Sequence, residues 1–278
     1  MVVDMSVHPT HPSLKPYIKG YFLMYFKMPE CINTIFAASP DTGLLFYYGQ
    51  EASSVHYDFM NNPNKKYTFN NQQLWLCGLH DEPIKAQMSK NINGLFVMCT
   101  PLGIQQLLHD NVTMVVNDGF SFEMMGIHKK FDGLNDQLHT AKNGLEAIKI
   151  AEPYLMRYYS HIKVPFSVKD MSPVVAYVFR QKGMVQVQQL EEKFHISRRW
   201  LEKQFAAQIG FSPKEYARMV RFKFILAQLS KTPSVSWGVL IEDFGYYDQS
   251  HLIRDFHCYT GLSPTEYLKM SPNGVNEL

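Results

Sequence analysis

The feature that most constrains this chain is an internal repeat in its second half, at a spacing of 51 residues. The equivalent positions are Leu201 and Leu252, Phe205 and Phe256, Gly210 and Gly261, Ser212-Pro213 and Ser263-Pro264, Glu215 and Glu266, and Tyr216 and Tyr267. Self-similarity at one fixed offset indicates a repeated supersecondary unit. The sequence therefore predicts two copies of the same small fold.

Each copy has the sequence pattern of a helix-turn-helix. A leucine and a phenylalanine four residues apart lie on the same helical face and pack the second helix on the first. Ser197 and Asp248 stand at equivalent N-cap positions. Ser212 and Glu215 form a capping box with proline at the first helical position. They predict a long helix that runs to about Leu229 and joins the two copies.

The face opposite the leucine and phenylalanine is polar in both copies. Six of the seven arginines of the chain also lie after residue 165. Arginine, lysine and glutamine read base edges in the major groove, and serine and histidine add groove or phosphate contacts. We predict that DNA is contacted by Arg198, Arg199, Glu202, Lys203, Gln249, Ser250, His251 and Arg254, with Lys214 and Arg218 on phosphates. The alternative is a pair of helical hairpins with solvated faces.

The first 130 residues predict a β-rich barrel or sandwich, because short apolar runs alternate with turn residues. The expected strands are 17–28, 44–48, 66–70, 74–77, 84–88 and 95–99. A helix is expected from Thr100-Pro101 to about His109, and another from Leu145 to Tyr159 that either packs on the barrel or forms a dimer face. Pro165 discourages helix, so we place a boundary there and expect domains 1–165 and 166–278.

Residues 184–269 resemble the C-terminal DNA-binding domain of AraC-type (arabinose-regulator-like) transcription factors. The resemblance is carried by 197–205, 210–216 with Arg218 and Arg221, 245–256 and 261–267. It implies that one long helix presents both reading helices to successive major grooves on one face of the DNA. The sequence departs from the family pattern at Glu191 and Ile241, where alanine is usual, and at His195, where glycine is common. We expect Glu191 to tilt toward solvent, because a buried glutamate without a partner is costly.

The first half is similar to the cupin-like sensor domains of the same family, through 11–21, 40–43, 78–80 and 96–103. The resemblance implies effector binding, dimerisation or both. For the strand aromatics we favour core packing over pocket lining; these are Phe46, Tyr47, Tyr48, Tyr57, Trp75 and Phe96. The overall expectation is an α+β chain of two domains: an N-terminal cupin-like barrel with flanking helices, and an all-α double helix-turn-helix.

Metal or cofactor chemistry is not expected. No two N-terminal histidines form the H-x-H pair of metal-binding cupins, and no phosphate-binding glycine loop or nucleophile elbow occurs. Cys31, Cys77 and Cys99 are expected to be small buried hydrophobes, and no C-x-x-C pair is present. The N-terminus lacks a signal-like run and no stretch of 18 apolar residues occurs, so a cytoplasmic protein without a membrane span is expected.

These patterns together predict a sequence-specific transcriptional regulator that is not an enzyme. The expected partners are double-stranded DNA, a small-molecule effector, a second copy in a homodimer and, for an activator, RNA polymerase. The competing hypothesis is a cupin-like enzyme or sugar-binding protein with a helical dimerisation module.

Overall fold

The computed structural model describes residues 2–62, 64–108, 112–162 and 170–270. The boundary expected at residue 165 lies outside the described residues, as does the expected helix end at His109. A β-rich part precedes that gap and helices follow it, in agreement with the predicted α+β class. Among the described residues, the helices are too short or too polar to span a bilayer.

Within the described residues, ten strands form two antiparallel sheets. The strands are β1 (Val2–His8), β2 (Ile18–Lys27), β3 (Ile32–Phe36), β4 (Gly43–Tyr47), β5 (Ser54–Phe59), β6 (Lys66–Asn70), β7 (Trp75–Cys77), β8 (Ile84–Met88), β9 (Asn91–Cys99) and β10 (Gly119–Ser121). One sheet has the order β1-β2-β9-β4-β7-β10 and the other β3-β8-β5-β6. The six predicted strands are present, with β9 starting earlier than expected.

Three helices flank the sheets: α1 (Pro101–Leu108), α2 (Leu134–Thr140) and α3 (Gly144–Ser160). As predicted, α1 starts after Thr100, whose hydroxyl accepts from the Gly103 N–H at 3.0 Å. Helix α3 packs on β2 and β9. Leu155 and Tyr159 are buried in that contact, but Leu145 is 54% exposed. Leu145, at the start of the helix, therefore lies outside its packed face.

Seven helices form the C-terminal part. They are α4 (Ser172–Arg180), α5 (Val187–Phe194), α6 (Arg198–Gln208), α7 (Pro213–Lys231), α8 (Trp237–Asp243), α9 (Gln249–Thr260) and α10 (Pro264–Met270). In the first copy α5 precedes α6, and in the second α8 precedes α9. Helix α7 is the long helix that the capping box predicts, and α10 starts with a second box between Ser263 and Glu266.

The turns after α6 and α9 both pack against the β-rich part. Gly210 and Gly261 are equivalent in the repeat and have left-handed backbones, with φ of +89° and +69°. A Cβ atom on Gly210 would collide with Val116, and one on Gly261 would lie 2.7 Å from Cε of Met60. The absence of a side chain at both positions thus allows the two parts of the chain to approach closely.

Candidate DNA interface and effector cavity

Helix α6 has one buried apolar face and one exposed polar face. Ser197 caps its N-terminus, accepting from the Trp200 N–H at 3.4 Å. Leu201 and Phe205 are completely buried. The side chains expected to contact DNA in this copy are all exposed, namely Arg198, Arg199, Glu202 and Lys203. The geometry leaves this face accessible to a DNA groove, and the contacts themselves stay a prediction.

An ion pair on α6 involves Arg198, not Arg199. Nε of Arg198 donates to Oε1 of Glu202 at 2.9 Å, one helical turn away. This hydrogen bond and the charge of Glu202 raise the pKa of Arg198. The carboxylate of Glu202 is therefore already paired within α6. Arg199 and Lys203 project beside this pair.

Helix α9 repeats the arrangement. Asp248 caps it, accepting from the His251 N–H at 2.7 Å. Leu252 and Phe256 are buried, as the repeat predicts. Gln249, Ser250 and Arg254 are exposed, whereas His251 is half-buried with its ring 4.9 Å from that of Tyr246. His251 is thus partly committed to an intramolecular contact.

In the turn of the first copy, His195 stands where AraC-type domains commonly have glycine. His195 adopts a left-handed conformation, with φ 51° and ψ 49°, at the end of α5. Gly245 takes the corresponding conformation after α8, with φ 62°. Non-glycine residues in this region carry a small steric cost. Both turns therefore contain a left-handed residue at this point, although the side chains differ. Glu191, one helical turn before His195, is half-buried, consistent with the expected tilt.

Lys214 and Arg218 of α7 have different environments. Lys214 is exposed in the first turn. Glu215, next to it, closes the capping box with Ser212, and the hydrogen bonds from Ser212 lower its pKa. Arg218 instead donates to the buried carboxylate of Asp255. The structure therefore gives Arg218 an internal partner that the sequence pattern did not indicate.

Tyr247 is a candidate contact residue that the sequence pattern did not reveal. It lies immediately before the N-cap of α9 and is 91% exposed. The second turn is one residue longer than the first. Ile196 corresponds to the buried Tyr246, since the N–H of each donates to a carbonyl five residues earlier, and Tyr247 is the additional residue. An exposed aromatic side chain at the start of a reading helix is well placed to contact a DNA backbone. The signal that could have identified it is this difference between the copies.

A cavity of about 300 Å³ lies between the two sheets. Most of its lining is apolar, and it includes Phe22, Met24, Leu45, Tyr57, Phe69 and Phe96. Tyr57 and Phe96 therefore line a pocket, contrary to our expectation of plain core for both. The cavity also has a polar end with Ser39, Asp41, His80 and Lys223. Such a site suits a small, mainly apolar molecule.

The polar end of the cavity includes a residue of the helix that joins the two reading units. Lys223 of α7 forms an ion pair with Asp41. Nearby, the Ala38 N–H donates to the carbonyl of Tyr259, in α9, at 2.7 Å. Burial lowers the pKa of His80, and its hydrogen bond to the Glu82 carbonyl and the charge of Asp81 oppose this effect. The cavity is thus physically connected to α7, and α9 contacts the β-rich part nearby.

The cysteines and possible metal ligands complete the site inventory. Within residues that the structure describes, no three His, Cys, Asp or Glu side chains are grouped as a metal site. Cys99 is buried and Cys77 half-buried, and burial raises the pKa of both thiols to about 12. Cys31 is exposed, so our expectation of a buried residue was wrong there. It follows β2 in a turn, outside the apolar part of the strand.

The solved structures that this chain matches have low sequence identity to it. Apo ToxT from Vibrio cholerae, as a point variant, is 13% identical with a TM-score of 0.49, covering 90% of this chain and 97% of that one. ToxT bound to an unsaturated fatty acid is 15% identical with a TM-score of 0.48, covering 90% and 95%. The AraC-like transcriptional activator CuxR is 12% identical with a TM-score of 0.27, covering 81% and 86%.

Sequence comparison is more specific. No curated protein matches the chain. A family model described as a helix-turn-helix domain matches residues 190–270, which contain both copies of the repeat. The matched segment runs from α5 to α10 and includes α6, α7 and α9. The chain therefore carries a helix-turn-helix domain over residues 190–270.

Proposed function

We propose that this protein is a sequence-specific DNA-binding transcriptional regulator that responds to a small apolar effector. The observation that carries the proposal is the pair of equivalent capped helices, α6 and α9, on either side of α7. Each buries a Leu-Phe stripe and leaves a polar face exposed. Two reading helices joined in this way suit successive major grooves, about one helical turn of DNA apart.

In this proposal the exposed side chains have distinct roles. Arg199 and Arg254 read base edges, since a guanidinium donates two parallel hydrogen bonds to guanine. Lys203 and Lys214 contact base edges or phosphates. The remaining polar residues on these faces add contacts to bases or backbone; they are Arg198, Glu202, Gln249, Ser250 and His251. Arg218 is reassigned to an internal role, because its guanidinium is occupied by Asp255.

The cavity between the sheets supplies the sensing function. Its lining is mostly apolar, and its polar end contains Lys223 of α7. An effector that enters there meets a residue of the helix that carries both reading units. A homodimer and a contact with RNA polymerase stay predictions. The helix-turn-helix assignment favours this function over a cupin-like enzyme.

Selection of bound sequences from a random duplex DNA pool tests the proposal with the full chain. We expect enrichment of one motif with two half-sites about one helical turn apart, and affinity that falls steeply with salt. An Arg199→Ala, Arg254→Ala double variant is the matched control, and we expect it to retain its fold and lose the motif. A folded wild-type protein that enriches no motif would refute the proposal.

A further inference from the structure

Asp255 is a carboxylate in the middle of the second reading helix, and it has no solvent exposure at all. It lies between Arg254, which is exposed on the polar face, and Phe256, which is in the core. Burying a charge is costly unless hydrogen bonds and opposite charges compensate it. The contacts of Asp255 therefore indicate what this position contributes.

Three side chains from two elements converge on this carboxylate. Nε and Nη2 of Arg218 donate to Oδ1 at 2.9 and 2.5 Å. The hydroxyl of Tyr246 donates to Oδ2 at 2.7 Å, and Nη2 of Arg221 lies 3.8 Å from the same oxygen. Both arginines belong to α7, and Tyr246 belongs to the turn before α9. The contact thus ties the reading helix to the joining helix and to its own turn.

Two aromatic rings restrict the arginines further. The guanidinium of Arg221 lies 4.2 Å from the ring centroid of Tyr246, and that of Arg218 lies 5.2 Å from the ring of Tyr259. A planar guanidinium held by hydrogen bonds in its plane and by a ring at its face has little rotational freedom. Such a network restricts both rotation and sliding of α9 against α7.

The first copy is built differently at the equivalent position. Gln204 stands where the second copy has Asp255, at the repeat offset. Its Oε1 accepts from Nε2 of Gln208 at 3.0 Å, so that this hydrogen bond stays within α6. The ionic connection to α7 is thus a feature of the second copy. The repeated helix-turn-helix pattern does not require this connection.

We propose that Asp255 is a positioning residue for DNA recognition, which fixes the orientation of α9 on α7 and thereby directs Arg254 toward its base pair. The inference rests on the proposed function. Without the carboxylate, α9 keeps its Leu252 and Phe256 packing but loses the polar contacts that define its rotation. Arg218 is then released and becomes free to contact a phosphate.

The test compares full-length wild type with Asp255→Asn, using the motif that the wild type selects. We expect base preference in the α9 half-site to fall ~5- to 150-fold, the range for loss of one bidentate arginine contact, with the α6 half-site unchanged. We also expect the salt slope of affinity to become steeper by about one unit, from the released Arg218. A merely structural residue would lower the melting temperature and leave half-site preference intact.

Two further variants separate positioning from stability. In Asp255→Asn with Arg218→Gln, the excess positive charge is removed. We expect this double variant to melt closer to wild type while the α9 half-site stays degenerate and the steeper salt slope disappears. Gln204→Ala is the control at the equivalent position, and we expect it to leave the α9 half-site unchanged.

Each outcome has a defined meaning. Unchanged preference in folded Asp255→Asn overturns the inference and leaves the proposed function standing. If that variant does not fold, Tyr246→Phe replaces it; it removes one hydrogen bond to Asp255, and an α9 preference equal to wild type then overturns the inference. A wild-type protein that selects no motif overturns both.

Discussion

Lys223 of the joining helix and Asp41 of the β-rich part form an ion pair at the polar end of the cavity. Burial by itself raises the pKa of Asp41, but the charges of Lys223 and Lys19 outweigh it and hold that pKa below its ordinary value. The ionised form of Asp41 is therefore stabilised in the folded chain. The pair lies where an effector would enter between sensing and DNA-binding elements.

Replacing Asp41 tests how strongly this pair stabilises the folded chain. We expect Asp41→Asn to reduce the free energy of unfolding by roughly 1 kcal/mol, because the pair is only partly exposed. Urea titration at neutral pH provides the measurement. Asp58→Asn is the control, since the Asp58–Lys66 pair is largely exposed and should contribute little. Equal effects of the two substitutions would contradict the prediction.

The buried His80 should make the folded chain less stable in mildly acidic solution. Burial lowers its pKa, against smaller opposing effects from the Glu82 carbonyl, Asp81 and Asp41. Below pH ~6.5 the unfolded chain therefore binds more protons at this histidine than the folded chain does. The free energy of unfolding decreases as the pH is lowered, until the pH passes below the folded pKa of His80. Urea titrations between pH 7 and 5 should show this loss, and it should diminish in His80→Gln. His128→Gln, which removes a histidine from an exposed position, supplies the control.

The repeat predicts equal structural roles for Leu201 and Leu252. Both are buried, at 0% and 1% exposure. Each leucine-to-alanine change should cost about 2–5 kcal/mol through lost burial and a residual cavity. Arg254→Ala, on the opposite face, should change stability by less than ~0.5 kcal/mol and relax base preference. Measuring both the melting temperature and the DNA affinity of each variant separates the effect on stability from the effect on recognition. A leucine variant with wild-type melting and lost DNA binding would reverse our assignment of the two faces.

Glu202 should influence specificity more than affinity. Its carboxylate holds Arg198 and repels phosphate, so Glu202→Ala should leave nonspecific affinity equal or raise it slightly, while altering preference in the α6 half-site. Binding to specific and nonspecific duplexes over several salt concentrations measures both. Arg198→Ala serves as the comparison, and it should weaken binding to specific and to nonspecific duplexes. A uniform loss in Glu202→Ala would indicate a structural role for this residue.

Tyr247 should contribute to binding without contributing to the fold. Because it is 91% exposed, we expect Tyr247→Ala to keep the wild-type melting temperature. If its hydroxyl contacts a phosphate, Tyr247→Phe will weaken binding to all sequences as much as Tyr247→Ala does. If its ring makes the contact, Tyr247→Phe will bind like wild type. Wild-type affinity in Tyr247→Ala would exclude both roles.

The sequence was most informative where local rules and the repeat agree. The capping boxes, the proline at the start of α7 and the Leu-Phe stripes each depend on residues within one helical turn, and all are confirmed. Strands β1, β3, β5 and β10 were not predicted. β1 lies at a sheet edge, where Asp4 and Val7 are exposed and the residues between them are half-buried, so its apolar residues show no clear alternation. In β5 the alternation of Val55, Tyr57 and Phe59 was present and would have identified the strand.

The environment of Arg218 shows why part of the site could not be predicted. Its partner Asp255 is 37 residues away and follows Arg254, so both look like polar residues of exposed helix faces. Only the crossing of α7 and α9 brings them together. The cavity is a similar case, because its lining comes from strands of both sheets and from α7. Sequence periodicity describes one element at a time, and these features depend on several.

The paired glycines after α6 and α9 have a consequence for how the two copies can diverge. Gly210 faces Val116 and Gly261 faces Met60, so the limit on side-chain size at each comes from contact with the β-rich part. The residues that would choose a DNA sequence lie on another side of the same helices. A change of operator can therefore be accommodated by substitutions on the exposed faces alone. The two glycines would be retained in a descendant that binds unrelated DNA in its two half-sites. They preserve the close contact between the helical part and the β-rich part, and that contact does not depend on the DNA sequence.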